Sequence, residues 1–227
     1  MAVNMIQLEV VENKIELVDY SEDATLQELS DEVNSFRLTN DLKTRDCKGC
    51  GECCNQPIPV LGLDLVKIQK ETGMELEEVL RKYIVLPSKP DLGERRRGIK
   101  DFIRTCGLDE TKAAIMYEYN QCEPLILPRR EDGTCEFLEK STGLCQIFYY
   151  RPFTGGLYLC TMGDELSMIQ EMVVRFGTWH AYSMLGWISE KEISYNPFLE
   201  VDSYDNMYIK DFYFNPEEAL EKLFFYF

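Results

Sequence analysis

The chain has 227 residues, 45% hydrophobic and 12% aromatic, enough apolar material for a substantial buried core and too much for a disordered composition. Its formal charge of −16 gathers at the ends: residues 1 to 40 carry nine acidic and two basic side chains, and residues 190 to 227 carry nine and three. That balance excludes a generic nucleic-acid binder, and no stretch approaches the roughly 18 consecutive apolar residues that span a membrane. The amino terminus lacks the basic start and apolar run of an export signal. A cytoplasmic location is therefore expected, where the nine cysteines serve as ligands sooner than as disulfides.

In chain order, Ile6, Leu8 and Val10, then Ile15 and Leu17, alternate with polar residues around Glu12-Asn13 and predict a hairpin. Thr25 and Glu28 read as a capping box for a helix whose apolar positions are Leu26, Leu29, Val33 and Phe36. Pro57-Ile58-Pro59 imposes an extended passage, Asp64 opens a helix that Gly73 ends, and Leu76, Val79, Leu80 and Tyr83 mark a short helix stopped before Pro87. Residues 87 to 98, with two prolines, two glycines and Arg95-Arg96-Arg97, read as a mobile surface loop. Those arginines and Arg129-Arg130 read as solvated loop charge. A helix is expected over residues 110–119, and a long amphipathic one from Asp164 to about Ser189 through Leu166, Ile169, Val173, Phe176, His180 and Trp187. The aromatic, acidic tail ends in a helix capped near Asn215-Pro216.

The chemistry lies in the cysteines. Cys47, Cys50, Cys53 and Cys54 fall within eight residues, with Gly49 and Gly51 letting the backbone come close to whatever the sulfurs hold. A second group, Cys135, Cys145 and Cys160, contains Gly133 and Gly143 as turns that present sulfur inward, and is expected to fold onto the first. Three cysteines at two successive two-residue gaps match the way a cuboidal iron-sulfur cluster is gripped at three corners, the fourth ligand being remote. A structural zinc more often takes two cysteines from each of two knuckles. The spacing thus favours a [4Fe-4S]-type cluster, with zinc as the alternative. Adjacent side chains diverge by about 100° on a helix and about 180° on a strand. Cys53 and Cys54 are therefore alternatives as ligands to one ion, and a second site facing Cys135, Cys145 and Cys160 stays open. Cys106 and Cys122 carry no spacing signal and read as small buried apolar residues or as extra ligands. His180 reads as a hydrogen-bonded core residue, with a ligand or proton-carrier role as the other option.

The run Cys47-Lys-Gly-Cys50-Gly-Glu-Cys53-Cys54, with Gly133-Thr-Cys135-Glu-Phe-Leu-Glu and Gly143-Leu-Cys145-Gln-Ile-Phe-Tyr-Tyr-Arg151-Pro152, resembles the YkgJ-like cysteine-cluster family named for its CxxCxxCC signature. The resemblance covers roughly residues 44 to 160 and implies a zinc- or iron-chelating domain. It departs at Gly155, where the family pattern has a cysteine followed by arginine, and Cys160 is the expected replacement. The cluster is also similar to that of the flagellin lysine N-methylase, which implies an S-adenosylmethionine-dependent protein-modifying enzyme as an alternative function.

The expectation is a compact α+β protein, mainly helical, organised around a metal or iron-sulfur centre, with an N-terminal hairpin and a long C-terminal helix. Residues 1–40 form an acidic accessory segment, 41–163 the cysteine-cluster domain, and 164–227 the C-terminal helix and tail. The expected function is to hold or transfer a cluster or electrons for a partner system, using the acidic termini as protein-partner surfaces. A structural zinc-binding interaction protein is the third option.

Overall fold

A computed structural model of the chain describes residues 5–39, 53–110, 113, 114, 117, 121–157, 162–193 and 196–212. The alternating segment forms β1 (Ile6–Val11) and β2 (Lys14–Tyr20), paired antiparallel through a turn in which Glu12 and Asn13 have φ of 51° and 70°. Two consecutive left-handed residues give the type I′ geometry whose twist matches that of the strands. Leu8, Ile15 and Leu17 point inward onto α1 (Leu26–Thr39), whose Leu26, Leu29 and Val33 are fully buried. The capping box is made at both ends: Thr25 N–H donates to the Glu28 carboxylate at 2.9 Å, and Glu28 N–H to Thr25 Oγ1 at 3.2 Å.

The same core takes Phe198, Tyr204, Met207, Ile209 and Phe212 from a series of 3₁₀ turns, so chain segments almost two hundred residues apart share one apolar cluster. Backbone bonds close that contact, Leu26 N–H to Met207 O at 2.8 Å and Ile209 N–H to Ala24 O at 2.9 Å. A second cluster joins α2 (Gly62–Thr72) and α3 (Leu76–Tyr83) to Trp179 and Tyr182, with β3 (Pro59–Val60) and β4 (Leu125–Ile126) as a small ladder beside them. Gly73, at φ 69°, ends α2 as expected.

A five-residue helix, α5 (Phe153–Leu157), leads to α6 (Asp164–Met184), which runs along both cores. Where α2 crosses α6 the backbones nearly touch. A Cβ added at Gly177 would lie 2.8 Å from Leu61 Cβ and 2.9 Å from Phe198 Cζ. Asp64, fully buried in the first turn of α2, ties three segments together: it accepts from Leu61 N–H at 2.9 Å, Phe153 N–H at 2.9 Å and Tyr204 Oη at 3.0 Å.

The architecture is α+β, with small two-stranded sheets and helices supplying most of the ordered backbone. Three expectations need correction. Residues 92–98 are helical, not a loop: α4 (Leu92–Cys106) starts there because the Asp91 carboxylate caps Gly93 and Glu94 N–H at 2.7 and 3.1 Å. Gly98, which reads as a breaker, instead makes room for the Tyr117 ring, which a Cβ would overlap. The long helix stops at Met184 rather than Ser189, because Gly186 turns left-handed at φ 64° and Trp187 N–H folds back to Tyr182 O at 2.9 Å. Arg95 is not solvated; it is 7% exposed and lies 5.8 Å from the Trp179 ring. The helix expected over 110–119 is only partly described, and the one near Asn215 lies outside the described residues. Among the described residues no helix is long and apolar enough to cross a membrane.

Candidate metal centre

Cys54 lies in a 3₁₀ turn, Cys53–Asn55, and its carbonyl accepts the N–H of Cys135 at 2.8 Å. The two halves of the cysteine pattern therefore meet through the main chain. The loop carrying Cys135 turns at Gly133, with φ of 80°, and runs into β5 (Leu138–Glu139), which pairs with β6 (Leu144–Cys145) after a second turn at Gly143, φ 71°. Glycine takes such angles at no steric cost, so both turns occupy the positions the spacing assigns them. Cys145 stands opposite Leu138 on this hairpin.

Cys54 and Cys135 are buried, 6% and 4% exposed, and Cys145 is half-buried. All three line one small cavity of about 30 Å³, whose other walls include Ile58, Arg151 and Gly155. The Cys135 thiol is brought down to about 7, first by the hydrogen bond with the Cys54 side chain, then by the Phe137 N–H and the Arg130 charge, against the opposing effect of burial. Cys54, Cys106, Cys122, Cys135 and Cys145 are thiols, not cystines. Three thiols on one cavity are soft donors of the kind that suit zinc or iron. Among the described residues no group of three His, Cys, Asp or Glu side chains is close enough to hold a metal ion.

Cys47, Cys50 and Cys160 lie outside the described residues, and Cys53 is placed only as part of the turn. Gly155, where the resemblance expects a cysteine, lines the thiol cavity and offers no donor; a Cβ there would meet Ile58 Cγ2 at 3.5 Å, an ordinary contact. Arg151 also lines the cavity, its guanidinium carbon 4.5 Å from the Phe148 ring.

The remaining candidates stand elsewhere. Cys106 is exposed at the end of α4, so the reading of a buried apolar residue fails there. Cys122 is half-buried, accepts from Arg175 Nη1 at 3.7 Å, and has its thiol pushed up by burial. It lines a separate cleft of about 440 Å³ with Pro57, Pro59, Thr154, Gln170 and Arg175. Ile58 lines both spaces, and Thr154 on the cleft adjoins Gly155 on the thiol cavity. His180 packs 5.8 Å from Phe198 and is no wall of either space. Burial lowers it to about 4, so it is neutral, and its Nδ1 faces Gly62 with no hydrogen-bond partner among the described residues, unlike the bonded core histidine expected. Trp179, Tyr182 and Trp187 pack on one another with ring centroids 5.3 Å apart in successive pairs.

The sequence reading missed Arg129 and Arg130 as site residues. Both turn inward on the Cys135 loop: Arg129 donates to Gly133 O and, at 3.0 Å, to Asn55 O, while Arg130 gathers the carbonyls of Cys135, Glu136 and Leu138. Their signal was position, since both stand within six residues of a cysteine that follows a glycine turn.

The model of the CxxCxxCC family, described as "Putative zinc- or iron-chelating domain", matches residues 46–172. No curated protein and no solved structure matches the chain.

Proposed function

We propose, since this chain belongs to the CxxCxxCC family of metal-chelating domains, that it holds an iron-sulfur cluster of the [4Fe-4S] type on thiolates from both of its cysteine groups. In this reading it keeps or passes on the cluster or its electrons for a protein partner in the cytoplasm, with the acidic termini as the partner surfaces. Cys54, Cys135 and Cys145 would hold the metal, together with thiols from Cys47, Cys50, Cys53 and Cys160. The cluster supplies reversible one-electron chemistry when bound. The chain's own residues bury the Cys54 and Cys135 sulfurs, and the Phe137 N–H and the Arg130 charge act on Cys135. The observation that carries the reading is the convergence of Cys54, Cys135 and Cys145 on one cavity from segments about 80 to 90 residues apart.

Anaerobic purification followed by iron, sulfide and zinc counts and electron paramagnetic resonance tests it. Iron and sulfide in roughly equal amounts with a signal on reduction are expected. No iron and about one or more zinc ions per chain would turn the protein into a zinc-stapled interaction domain.

A third reading, a protein-modifying enzyme of the lysine N-methylase type using S-adenosylmethionine, is favoured by the cleft of about 440 Å³ that shares Ile58 with the thiol cavity. That volume is in the range of small-molecule sites. Binding of S-adenosylmethionine to the metal-loaded protein, lost on Val174→Trp in the cleft, would select it over electron transfer.

A further inference from the structure

Arg130 stands behind the Cys135 turn and spans three carbonyls with one guanidinium. Nη1 donates to Cys135 O at 3.0 Å and reaches Thr134 Oγ1 at 3.5 Å, while Nη2 donates to Glu136 O at 2.6 Å and Leu138 O at 2.9 Å. A trans peptide unit is planar and holds its C=O and N–H on opposite sides. The carbonyl of Glu136 and the N–H of Phe137 belong to one such unit, so the guanidinium on that oxygen also fixes the direction of the N–H two residues after Cys135. The same N–H helps to lower the Cys135 thiol.

We infer that Arg130 is a positioning residue of the metal centre: by holding the carbonyls of Cys135, Glu136 and Leu138 it fixes the direction of the Cys135 sulfur and of the Phe137 N–H. The inference rests on the reading that Cys135 is a metal ligand. Hydrogen bonds to a metal-bound thiolate withdraw electron density from sulfur, and such outer partners influence both affinity and potential. Lysine cannot replace the residue fully, because only the planar fork of arginine presents several N–H groups at fixed angles, whereas an ammonium is a single point of charge. Arg129 makes a natural comparison. It joins the Cys54 turn to the Cys135 loop through Asn55 O and Gly133 O, and neither carbonyl is part of the Glu136–Phe137 peptide.

The test uses the full chain, stripped of metal under anaerobic conditions and titrated with Co²⁺, reading the dissociation constant and the energy of the sulfur-to-cobalt charge-transfer band. Arg130→Met is expected to weaken Co²⁺ binding by about 10- to 100-fold and to move the band to lower energy, since a thiolate without its N–H donor gives up an electron more easily. Arg130→Lys should fall between wild type and Arg130→Met in both readouts, and Arg129→Met should weaken binding without moving the band. Should Arg130→Met fail to fold, Arg130→Lys decides, and a wild-type band and affinity in that variant would overturn the inference. An equal band shift in Arg129→Met would also overturn it, by showing a general loosening of the loop. Absence of any sulfur-to-cobalt band in the wild type is a different failure: it would refute the metal-centre reading itself, and this inference with it.

Discussion

Asp64 lets a single substitution report on how the fold is tied together. Its carboxylate is fully buried, and burial, partly offset by the hydrogen bonds from Leu61, Phe153 and Tyr204, raises its pKa from 3.8 to about 6. A carboxyl raised in the folded state holds its proton longer there than in the unfolded chain, so the stability it confers is complete below about pH 4 and is lost as the pH rises through 6. A shift of about two units at about 1.4 kcal/mol each makes that loss about 3 kcal/mol. Asp64→Asn cannot titrate. Its amide oxygen can still accept from Phe153 N–H and Tyr204 Oη, but its NH₂ then faces Leu61 N–H, donor against donor, at a cost of about 1–3 kcal/mol. Near pH 4 the variant is therefore expected to be the less stable protein by that amount. By pH 7.5 the gap should have closed by about 3 kcal/mol, leaving the two nearly equal or the variant ahead. Urea denaturation of both proteins at half-unit pH steps measures the difference directly, and other titrating groups cancel between them. A gap constant across pH 4 to 7.5 would refute the reasoning.

Glu16 is raised to about 7, chiefly by its hydrogen bond with the Glu165 carboxyl, then by burial and the charges of Glu165 and Asp164, so its contribution too is present in acid and lost as the pH rises through 7. Glu16→Gln should flatten the fall in melting temperature between pH 6 and 8, and an unchanged slope in thermal scans counts against the carboxyl pair. At the α2–α6 crossing, Gly177→Ala has to push Leu61 or Phe198 aside and should cost about 1–3 kcal/mol in chemical denaturation; a neutral result would mean that the helices separate freely. Cys135→Ser should reduce bound metal by more than Cys106→Ser, since Cys106 is exposed and lines no part of the thiol cavity, and metal counts on the two variants decide the point. Metal bound only to the native form adds to its stability, so chelation should lower the melting temperature, and a chelator-insensitive transition in metal-loaded protein would speak against the thiol loops being tied through the metal.

What was legible in the sequence was mostly local. The β1–β2 hairpin, the Thr25–Glu28 capping box, the end of α2 at Gly73 and the turns at Gly133 and Gly143 each depend on neighbours a few residues away, and all are made. Two of the misreadings have a non-local cause. Gly98 in α4 and Arg95 on Trp179 look like loop residues until the rings of Tyr117 and Trp179, which come from later in the chain, are set against them. The site divides the same way. Cys54, Cys135 and Cys145 were visible as thiols with ligand spacing, whereas the use of Arg129 and Arg130 depends on where the backbone carbonyls of the Cys135 loop point, and sequence does not display that.

By itself, then, the sequence determined the family, the sulfur chemistry and the turns that present it, because cysteine spacing and glycine conformation act over short stretches of backbone. Only the tertiary structure decided that Asp64 joins three distant segments, that Gly155 lines the thiol cavity without a donor, and that a cleft lies behind Ile58. Burial, cavity walls and hydrogen bonds between remote segments exist only once the apolar clusters have closed and brought those segments within contact distance.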